Sequence, residues 1–352
     1  ARHGGVSATM RQWVVARRPA GRVSEADFRL EEAPRPEPGP GEVLLRTQYL
    51  GVAPVMLRYL SNETSFERPL AIGDVMHGRG VGIVVASRHP DYAEGDAVQC
   101  KLGWREYGLI DGADPYFMPF RMGHPDLRLS YGISSLALSG FTALIGLRDI
   151  ARLGAADRLL VSGAAGGVGS QVAFMARALG CETVVGIAGG PAKCALLTDR
   201  LGYDAAIDYK QDDLPARLDA LFPEGIDVFF DNVGGELLDE VLGRIRRRAR
   251  VAICGRISEY LKTPEEYHRP RNLYRIGLMD AKLEGFFVYD WEPQFRELED
   301  TIAGWIRNGA LKPLEDIDEG IERMPAALIS LYEGSNAGVR MVRIDPAADG
   351  GT

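Results

Sequence analysis

The order of apolar and polar residues divides the chain into two parts. From residue 10 to about residue 134, short apolar runs separated by glycine and proline predict many β-strands. Within 80–86, Val81, Ile83 and Val85 alternate with other residues, which is the period of a half-buried strand. So many short strands and turns predict a small barrel-like β domain.

After residue 134 apolar runs alternate with stretches of helical periodicity. Strands are predicted at 158–161, 183–187, 205–209, 226–231, 250–254 and 283–288. Strands joined by helices pair in parallel, so residues 135–303 are expected to form a doubly wound α/β domain. Residues 304–346, with a helix over 317–331, are expected to return and complete the domain formed by 10–134. The arginine-rich run 244–250 is placed at a helix end and interpreted as structural.

Composition and charge limit the possible partners. A chain of 352 residues exceeds what one core usually serves, which favours two domains. The net charge of −8 argues against a nucleic-acid partner or an anionic membrane surface. No apolar stretch approaches the roughly 18 residues of a membrane span. Residues 1–9 lack a secretory pattern and are interpreted as a remnant before a natural start at Met10, so a cytoplasmic location is expected.

The cysteines are few and scattered. They are Cys100, Cys181, Cys194 and Cys254, and no Cys-x-x-Cys pair occurs. This spacing indicates neither a zinc lobe nor a redox dithiol. Buried free thiols in a reducing compartment are the expected state.

A glycine-rich turn joins the strand that ends at Val161 to a helix over 170–179. The turn contains Gly163, Gly166, Gly167, Val168 and Gly169. This order is typical of dinucleotide binding, because glycines permit a tight turn and close approach of the backbone to a pyrophosphate. The helix N-terminus then offers free N–H groups to the phosphates. The spacing Gly-x-x-Gly-x-x-Gly is not the commonest one, and a glycine turn of another α/β domain is the alternative.

Several motifs in series resemble the zinc-free prostaglandin reductase and alkenal/enone double-bond reductase branch of the medium-chain dehydrogenase/reductase superfamily. They are GDVM (73–76), GWREY (103–107), the glycine turn, DNVGG (231–235), ICGRIS (253–258) and LEGFFVY (283–289). The resemblance implies a Rossmann domain with a GroES-like β-barrel domain. It also implies a homodimer that uses NADPH to reduce a carbon–carbon double bond conjugated to a carbonyl group.

The residues after the second predicted strand favour NADP over NAD. Residues 184–190, at the end of this strand, include no Asp or Glu that could hold a ribose hydroxyl. Lys193 follows shortly after them. The family places a lysine and a tyrosine on the 2′-phosphate, which points to Lys193 and Tyr209. A solvated helix lysine and a strand-end tyrosine are the alternatives.

The resemblance assigns further cofactor contacts to Asn232, Cys254, Gly255, Ile257, Phe286, Phe287, Val288 and Asn336. The backbone of 286–288 is expected to end the last strand beside the nicotinamide amide. A turn asparagine, a core role for the aromatic residues and a simple turn at Asn336 are the alternatives.

Tyr260, in a Ser-x-Tyr context, is the candidate catalytic residue. Hydride delivery to the β-carbon of an enone places charge on the carbonyl oxygen, and a hydroxyl donor there stabilises the enolate. The family tyrosine is credited with contacting the substrate carbonyl or the nicotinamide ribose. A loop tyrosine without a catalytic role is the alternative.

Zinc is not expected, because the metal ligands of the superfamily's alcohol dehydrogenases are missing. The matching stretch is Met76-His77-Gly78-Arg79, and no cysteine occurs in 52–56. The expected substrate pocket contains Met56, Phe66 and Tyr260, and its apolar wall favours a bulky hydrophobic enone or enoyl thioester. The segment 260–275 is a candidate flexible lid. Quinone reduction and a catalytically silent NADPH-binding scaffold are the competing hypotheses.

Overall fold

The computed structural model describes residues 8–61 and 67–350. The chain forms two compact units, one from residues 1–133, 316–336 and 340–352, and one from 134–315 and 337–339. The chain returns to the first unit at residue 316, whereas the sequence predicted the return at 304. Within the second unit, Phe295 packs on Phe141 with ring centroids 4.9 Å apart. No helix in the described ranges has the length and apolar character needed to cross a membrane.

Strands and α-helices follow one another along both described ranges. The strands are β1 Thr9–Val15, β2 Phe28–Pro34, β3 Glu42–Gly51, β4 Arg79–Ser87, β5 Ala97–Lys101, β6 Tyr107–Asp111, β7 Phe120–Arg121, β8 Arg158–Val161, β9 Thr183–Ala188, β10 Ala205–Asp208, β11 Ile226–Asp231, β12 Ile245–Ile253, β13 Lys282–Gly285, β14 Glu315–Glu319 and β15 Val339–Arg343. The helices are α1 Met56–Ser61, α2 Leu138–Ile145, α3 Gly169–Ala178, α4 Pro191–Asp199, α5 Leu214–Leu221, α6 Gly235–Leu242, α7 Arg275–Leu278, α8 Phe295–Arg307 and α9 Met324–Glu333.

The first unit is built on a seven-stranded sheet. Its order is β14-β15-β3-β4-β5-β7, with β6 paired to β3, and β1 and β2 form a separate antiparallel pair. The core includes Leu45, Val84 and Trp104, and Trp104 stacks on Phe28 at 5.0 Å. The strand predicted at 80–86 is β4, but its residue in this core is Val84. Of the alternating residues, Val81 is buried, whereas Ile83 and Val85 are only partly buried.

The predicted helix over 317–331 is wrong in its first half. Ile317 lies in strand β14, and the helix α9 begins only at Met324. Residues two apart on a strand point to the same face, so Asp316 and Asp318 both reach the guanidinium of Arg340, at 2.9 and 2.8 Å. These ion pairs favour the strand over the helix that the apolar spacing predicts.

The second unit contains a six-stranded parallel sheet of order β10-β9-β8-β11-β12-β13. From β8 the chain continues outward through β9 and β10. It then returns to β11, on the other side of β8, and continues outward through β12 and β13. The order therefore reverses between β8 and β11, and ligands of such sheets bind at the carboxyl ends of the strands at this point. The predicted doubly wound α/β fold with a β domain is confirmed.

Residues 245–250 of the basic run lie in strand β12, so the prediction that the run lies at a helix end was wrong for these residues. Helix α6 ends at Leu242. Strand β12 packs one face against the core through Ile245, Ala249 and Val251. The arginines on the other positions pair with acids, as in the contacts of Arg244 with Asp219 and Glu240, Arg246 with Asp227, Arg248 with Asp280, and Arg250 with Asp157. These arginines therefore form ion pairs at the surface of the second unit.

Candidate functional site

The glycine turn lies at the carboxyl end of β8, at the point where the strand order reverses. Gly163 has a positive φ of 58°, a left-handed conformation that glycine adopts without strain. A Cβ at Gly169 would lie 2.2 Å from the carbonyl oxygen of Gly163, so only glycine lets α3 begin so close to the turn. The backbone is thus left bare around the first turn of a ten-residue helix, the arrangement that accepts a pyrophosphate.

Two lysines lie near each other beyond the ends of β9 and β10. Lys193 is in the first turn of α4, and Lys210 directly follows Tyr209 after β10. Tyr209 is 55% exposed, and a Cβ at Gly189 would lie 2.9 Å from both Tyr209 Cε1 and Lys210 Cε. Burial, together with the nearby charge of Lys210, lowers the pKa of Lys193. Neither ammonium group pairs with a carboxylate among the described residues. This concentration of unpaired positive charge suits a phosphate, and the sequence reasoning missed Lys210.

A buried carboxylate organises the loop after β11. Asp231 accepts hydrogen bonds from Ser162 Oγ at 2.7 Å and from the N–H of Val233 and Gly234 at 3.0 Å. Burial raises the pKa of Asp231, and these hydrogen bonds oppose the rise. Ser162 also accepts from the Asn232 N–H at 2.9 Å, while Asn232 Nδ2 donates to the Ser162 carbonyl at 2.8 Å. Asn232 is therefore held on both its backbone and its side chain. The sequence analysis assigned no role to Asp231 or Ser162.

The loop after β12 lies against the same loop. The N–H groups of Cys254 and Gly255 donate to the Asp231 carbonyl oxygen at 2.9 and 3.1 Å, and the Ile257 N–H donates to the Asn232 carbonyl oxygen at 3.3 Å. A Cβ at Gly255 would lie 3.1 Å from the Asn232 carbonyl oxygen and 3.7 Å from Tyr260 Oη.

The structure therefore brings Asn232, Gly255 and Tyr260 to one point at the sheet edge. Cys254 and Ile257 are their neighbours in the chain.

The aromatic residues after β13 lie outside the strand that was expected to contain them. The strand ends at Gly285, and Val288 opens a 3₁₀ helix. Phe286 Cζ lies 3.2 Å from a Cβ position at Gly146, whereas Phe287 is 40% exposed and contacts the Tyr289 ring. The strand ends where its pairing with β12 ends, at Gly285 opposite Ile253, the last residue of β12. Phe286 takes the packing role, and Phe287 is left accessible.

The first unit holds the other predicted site residues. Met56 begins α1, is buried, and its Cε lies 3.9 Å from a Cβ position at Gly78. Phe66 falls outside the described residues. Asn336 lies in the loop after α9, just before Gly338, whose N–H donates to the Ala165 carbonyl oxygen of the glycine turn at 2.8 Å.

The predicted lid is tied down at its far end. Asp239 of α6 accepts from the N–H groups of Arg271 and Asn272, at 3.0 and 2.7 Å, and contacts His268 Nε2 at 2.7 Å. Burial alone would raise the pKa of Asp239, but these hydrogen bonds outweigh it and hold the pKa at about 2. Motion of the segment 260–275 stays a prediction, and such motion would hinge on this anchor.

The side chains in the stretch where alcohol dehydrogenases of the superfamily have zinc ligands are poor metal donors, because they are already hydrogen-bonded or hold their proton. His77 contacts the Arg68 carbonyl oxygen through Nε2 at 2.7 Å and the Tyr116 hydroxyl through Nδ1 at 3.0 Å. Burial raises the pKa of Cys100 to about 12, which opposes the thiolate form that binds metals. This donor set does not fit a zinc site.

Fold and site together define an oxidoreductase of the medium-chain dehydrogenase/reductase superfamily. Residues 11–117 match the family of the N-terminal domain of oxidoreductase, and residues 167–304 match the zinc-binding dehydrogenase family. The relatives described below, at 35–36% sequence identity, then identify the branch of the superfamily. The chain belongs to the zinc-free prostaglandin reductase and alkenal/enone reductase branch, as the motifs predicted.

Three similar proteins illustrate the relationship. The chain is 36% identical over 338 residues to the NADPH-dependent curcumin reductase of Escherichia coli strain K12, covering 95% of this chain and 96% of that protein. It is 35% identical to the NADP(+)-dependent 2-alkenal reductase of Nicotiana tabacum, covering 87% of this chain and 88% of that one. The crystal structure of CurA from Vibrio vulnificus in complex with NADPH superposes with a TM-score of 0.86 at 34% identity, over 95% of this chain and 99% of CurA.

Proposed function

We propose that this protein catalyses the NADPH-dependent reduction of a carbon–carbon double bond conjugated to a carbonyl group. The observation that carries the proposal is the pair of lysines without acidic partners, Lys193 in the first turn of α4 and Lys210 after β10, in a chain whose relatives are named as NADP-dependent reductases. A 2′-phosphate is a dianion, and two ammonium groups without acidic partners are its natural complement. The substrate class follows from the names of the curcumin and 2-alkenal reductases.

The glycine turn and the loops beside it fit a dinucleotide. The bare backbone of Gly163, Gly166, Gly167, Val168 and Gly169 would receive the pyrophosphate, with Lys193, Lys210 and Tyr209 on the 2′-phosphate. Asn232, Cys254, Gly255, Ile257, Phe286, Phe287, Val288 and Asn336 are the proposed contacts of the nicotinamide half. Ser162 and Asp231 hold Asn232 in place and are positioning residues.

The reaction needs a donor where negative charge develops. When bound, the reduced nicotinamide supplies a hydride for the β-carbon of the substrate. Tyr260 Oη would donate to the substrate's carbonyl oxygen and stabilise the enolate, because a fixed hydroxyl is worth most where charge appears only during reaction. The α-carbon then takes a proton from solvent or from Tyr260.

The substrate is proposed to be hydrophobic. Met56, Phe66 and Tyr260 are the proposed substrate-pocket residues, and Met56 and Phe66 are apolar. Apolar side chains there suit a bulky enone or an enoyl thioester.

Stopped-flow oxidation of NADPH against enones, enoyl thioesters and quinones tests the proposal. We expect turnover with enones or enoyl thioesters, with the saturated carbonyl compound as product and no loss of rate after treatment with a zinc chelator. Turnover of quinones alone would assign a quinone reductase instead. Tight NADPH binding without turnover of any acceptor would leave a silent scaffold.

We also propose a cytoplasmic homodimer. Strand β13 is the outer strand of the parallel sheet, and Leu283 on it is 37% exposed. An antiparallel pairing of two β13 strands about a twofold axis at Leu283 would place Lys282 opposite Glu284 of the second copy. All four cysteines are free thiols, which favours the reducing cytoplasm.

A further inference from the structure

A cavity of about 180 Å³ lies in the first unit, apart from the glycine turn and its loops. Its wall is mainly basic and aromatic, and includes Arg68, His77, Lys101, Arg105, Tyr116 and Phe117. Taking about 30 Å³ for each water-sized group, the cavity holds about six such groups. It suits a small molecule.

Two cations at this cavity have carboxylate partners. The Lys101 ammonium lies 2.8 Å from Glu67, and the two side chains are only 7% and 4% exposed. Arg68 pairs with Asp114 and lies over the Tyr116 ring at 4.0 Å. These pairs neutralise their own charges, and both of these acids are already paired with cations of the cavity.

Two more arginines in this region have no acidic partner among the described residues. Arg105 donates from Nε to the carbonyl oxygen of Leu102 at 2.6 Å, and burial lowers the pKa of Arg105. Arg79 Nη1 is buried and makes no hydrogen bond to any described residue. Buried charges without a partner are costly, so natural proteins normally supply a counter-charge.

The strand pairing makes this arrangement less favourable still. Arg79 of β4 lies directly opposite Lys101 of β5, so both side chains are on the same face of the sheet. Like charges placed opposite each other destabilise an antiparallel pair. Burial, with the charges of Arg79 and Arg68, lowers the pKa of Lys101 although Glu67 opposes this. An added negative charge would relieve the repulsion.

We propose that this cavity binds a small oxyanion, a carboxylate or a phosphate, through Arg105, and that Arg79, opposite the lining residue Lys101, adds to the positive charge that attracts it. Guanidinium groups match both anions with paired N–H donors. The oxyanion has two possible sources. It is either a free small anion or, if the proposed reductase function holds, an acidic group carried by the substrate, since Gly78 borders both the cavity and Met56.

Calorimetric titration of the protein with inorganic phosphate, and separately with malonate, tests the site at constant ionic strength. We expect saturable binding. Arg105→Gln should weaken it by about tenfold or more, the usual size of one charged hydrogen bond, and Arg79→Gln should weaken it too. Arg29→Gln removes an exposed arginine of the same unit that pairs with Glu31, and should leave the affinity unchanged.

Thermal unfolding keeps the test valid if a variant folds poorly. In the wild-type protein, phosphate should raise the melting temperature along a saturation curve that chloride of equal ionic strength does not produce. Equal responses to phosphate and chloride, or unchanged affinity in both arginine variants, would overturn the proposal.

Kinetics with an acid-bearing enone and its methyl ester then separate the two sources. Phosphate that raises the KM of the acid but not of the ester assigns the site to the substrate's own acidic group. Phosphate binding that affects neither KM assigns a free anion. Failure of the reductase function would appear as absent turnover with phosphate binding intact, so the two proposals fail separately.

Discussion

At the scale of single residues, the hydroxyl of Tyr260 lies beside Gly255, which in turn lies against the carbonyl oxygen of Asn232. Tyr260→Phe removes that hydroxyl and keeps the ring. If Tyr260 stabilises the enolate, we expect the single-turnover rate of NADPH oxidation to fall by about ten- to a thousandfold, the range reported for loss of one such donor. NADPH affinity should change little, because the loss is confined to the reacting state.

Tyr274→Phe is the matched control, since Tyr274 is exposed and its hydroxyl has no assigned role. Its single-turnover rate should equal that of the wild-type protein. An unchanged rate in Tyr260→Phe would remove Tyr260 from the mechanism.

Lys193 and Lys210 are proposed to bind the cofactor's 2′-phosphate through their positive charge. Each substitution to alanine should raise the Kd for NADPH by about tenfold or more and leave the Kd for NADH nearly unchanged, because NADH lacks the 2′-phosphate. Fluorescence titration of both cofactors measures this, with Lys312→Ala, an exposed lysine, as the control. Equal losses for NADPH and NADH would contradict the phosphate role.

The sequence identified those candidate site residues that are marked by their neighbours in the chain. Lys193 follows a strand that lacks an acidic end, and the glycines lie between a strand and a helix. Asp231 could not be singled out, because its importance comes from Ser162, which is 69 positions away. Lys210 was missed for a similar reason, since only the folded loop places it beside Lys193.

At the scale of elements, the start of α3 depends on the absence of a side chain at Gly169. Gly169→Ala would place a methyl group 2.2 Å from the Gly163 carbonyl oxygen, and the helix must shift to accept it. We expect a loss of about 2 kcal/mol or more in the free energy of unfolding, together with weaker NADPH binding. Denaturant unfolding and cofactor titration measure the two effects.

Gly304→Ala in α8 is the opposite case within the same unit. A Cβ at Gly304 has open space around it, so alanine should stabilise the helix by about 0.5–1 kcal/mol and leave NADPH binding alone. If both variants behaved alike, close packing at the turn would not explain the need for glycine at Gly169.

The elements themselves were predictable where one period dominated. Alternating strands and helices after residue 134 predicted the parallel sheet. The period was misinterpreted where charged residues filled the exposed positions. In the run 244–250 the arginines concealed a strand, and at Ile317 the acids that pair with Arg340 concealed another.

At the scale of the whole molecule, the exposed edge of β13 determines how copies could associate. Leu283→Lys would place two like charges at the proposed twofold axis, and we expect the dimer to dissociate into monomers. Light scattering after size-exclusion chromatography measures the mass. Activity per subunit should persist if each glycine turn and its loops come from one chain.

Ile72→Lys, a change of the same kind at an exposed position of the first unit, is the control and should leave the mass unchanged. A monomeric wild-type protein, or a Leu283→Lys variant that stays dimeric, would contradict pairing through β13.

The state of the cysteines has a consequence for survival in the presence of the proposed substrates. Conjugated carbonyl compounds alkylate proteins by adding to thiolates. Burial raises the pKa of each of Cys100, Cys181, Cys194 and Cys254, and that of Cys254, in the loop proposed to receive the cofactor, reaches about 12. Because a protonated thiol is a poor nucleophile, we expect these cysteines to react slowly with the conjugated carbonyl compounds that the protein is proposed to reduce.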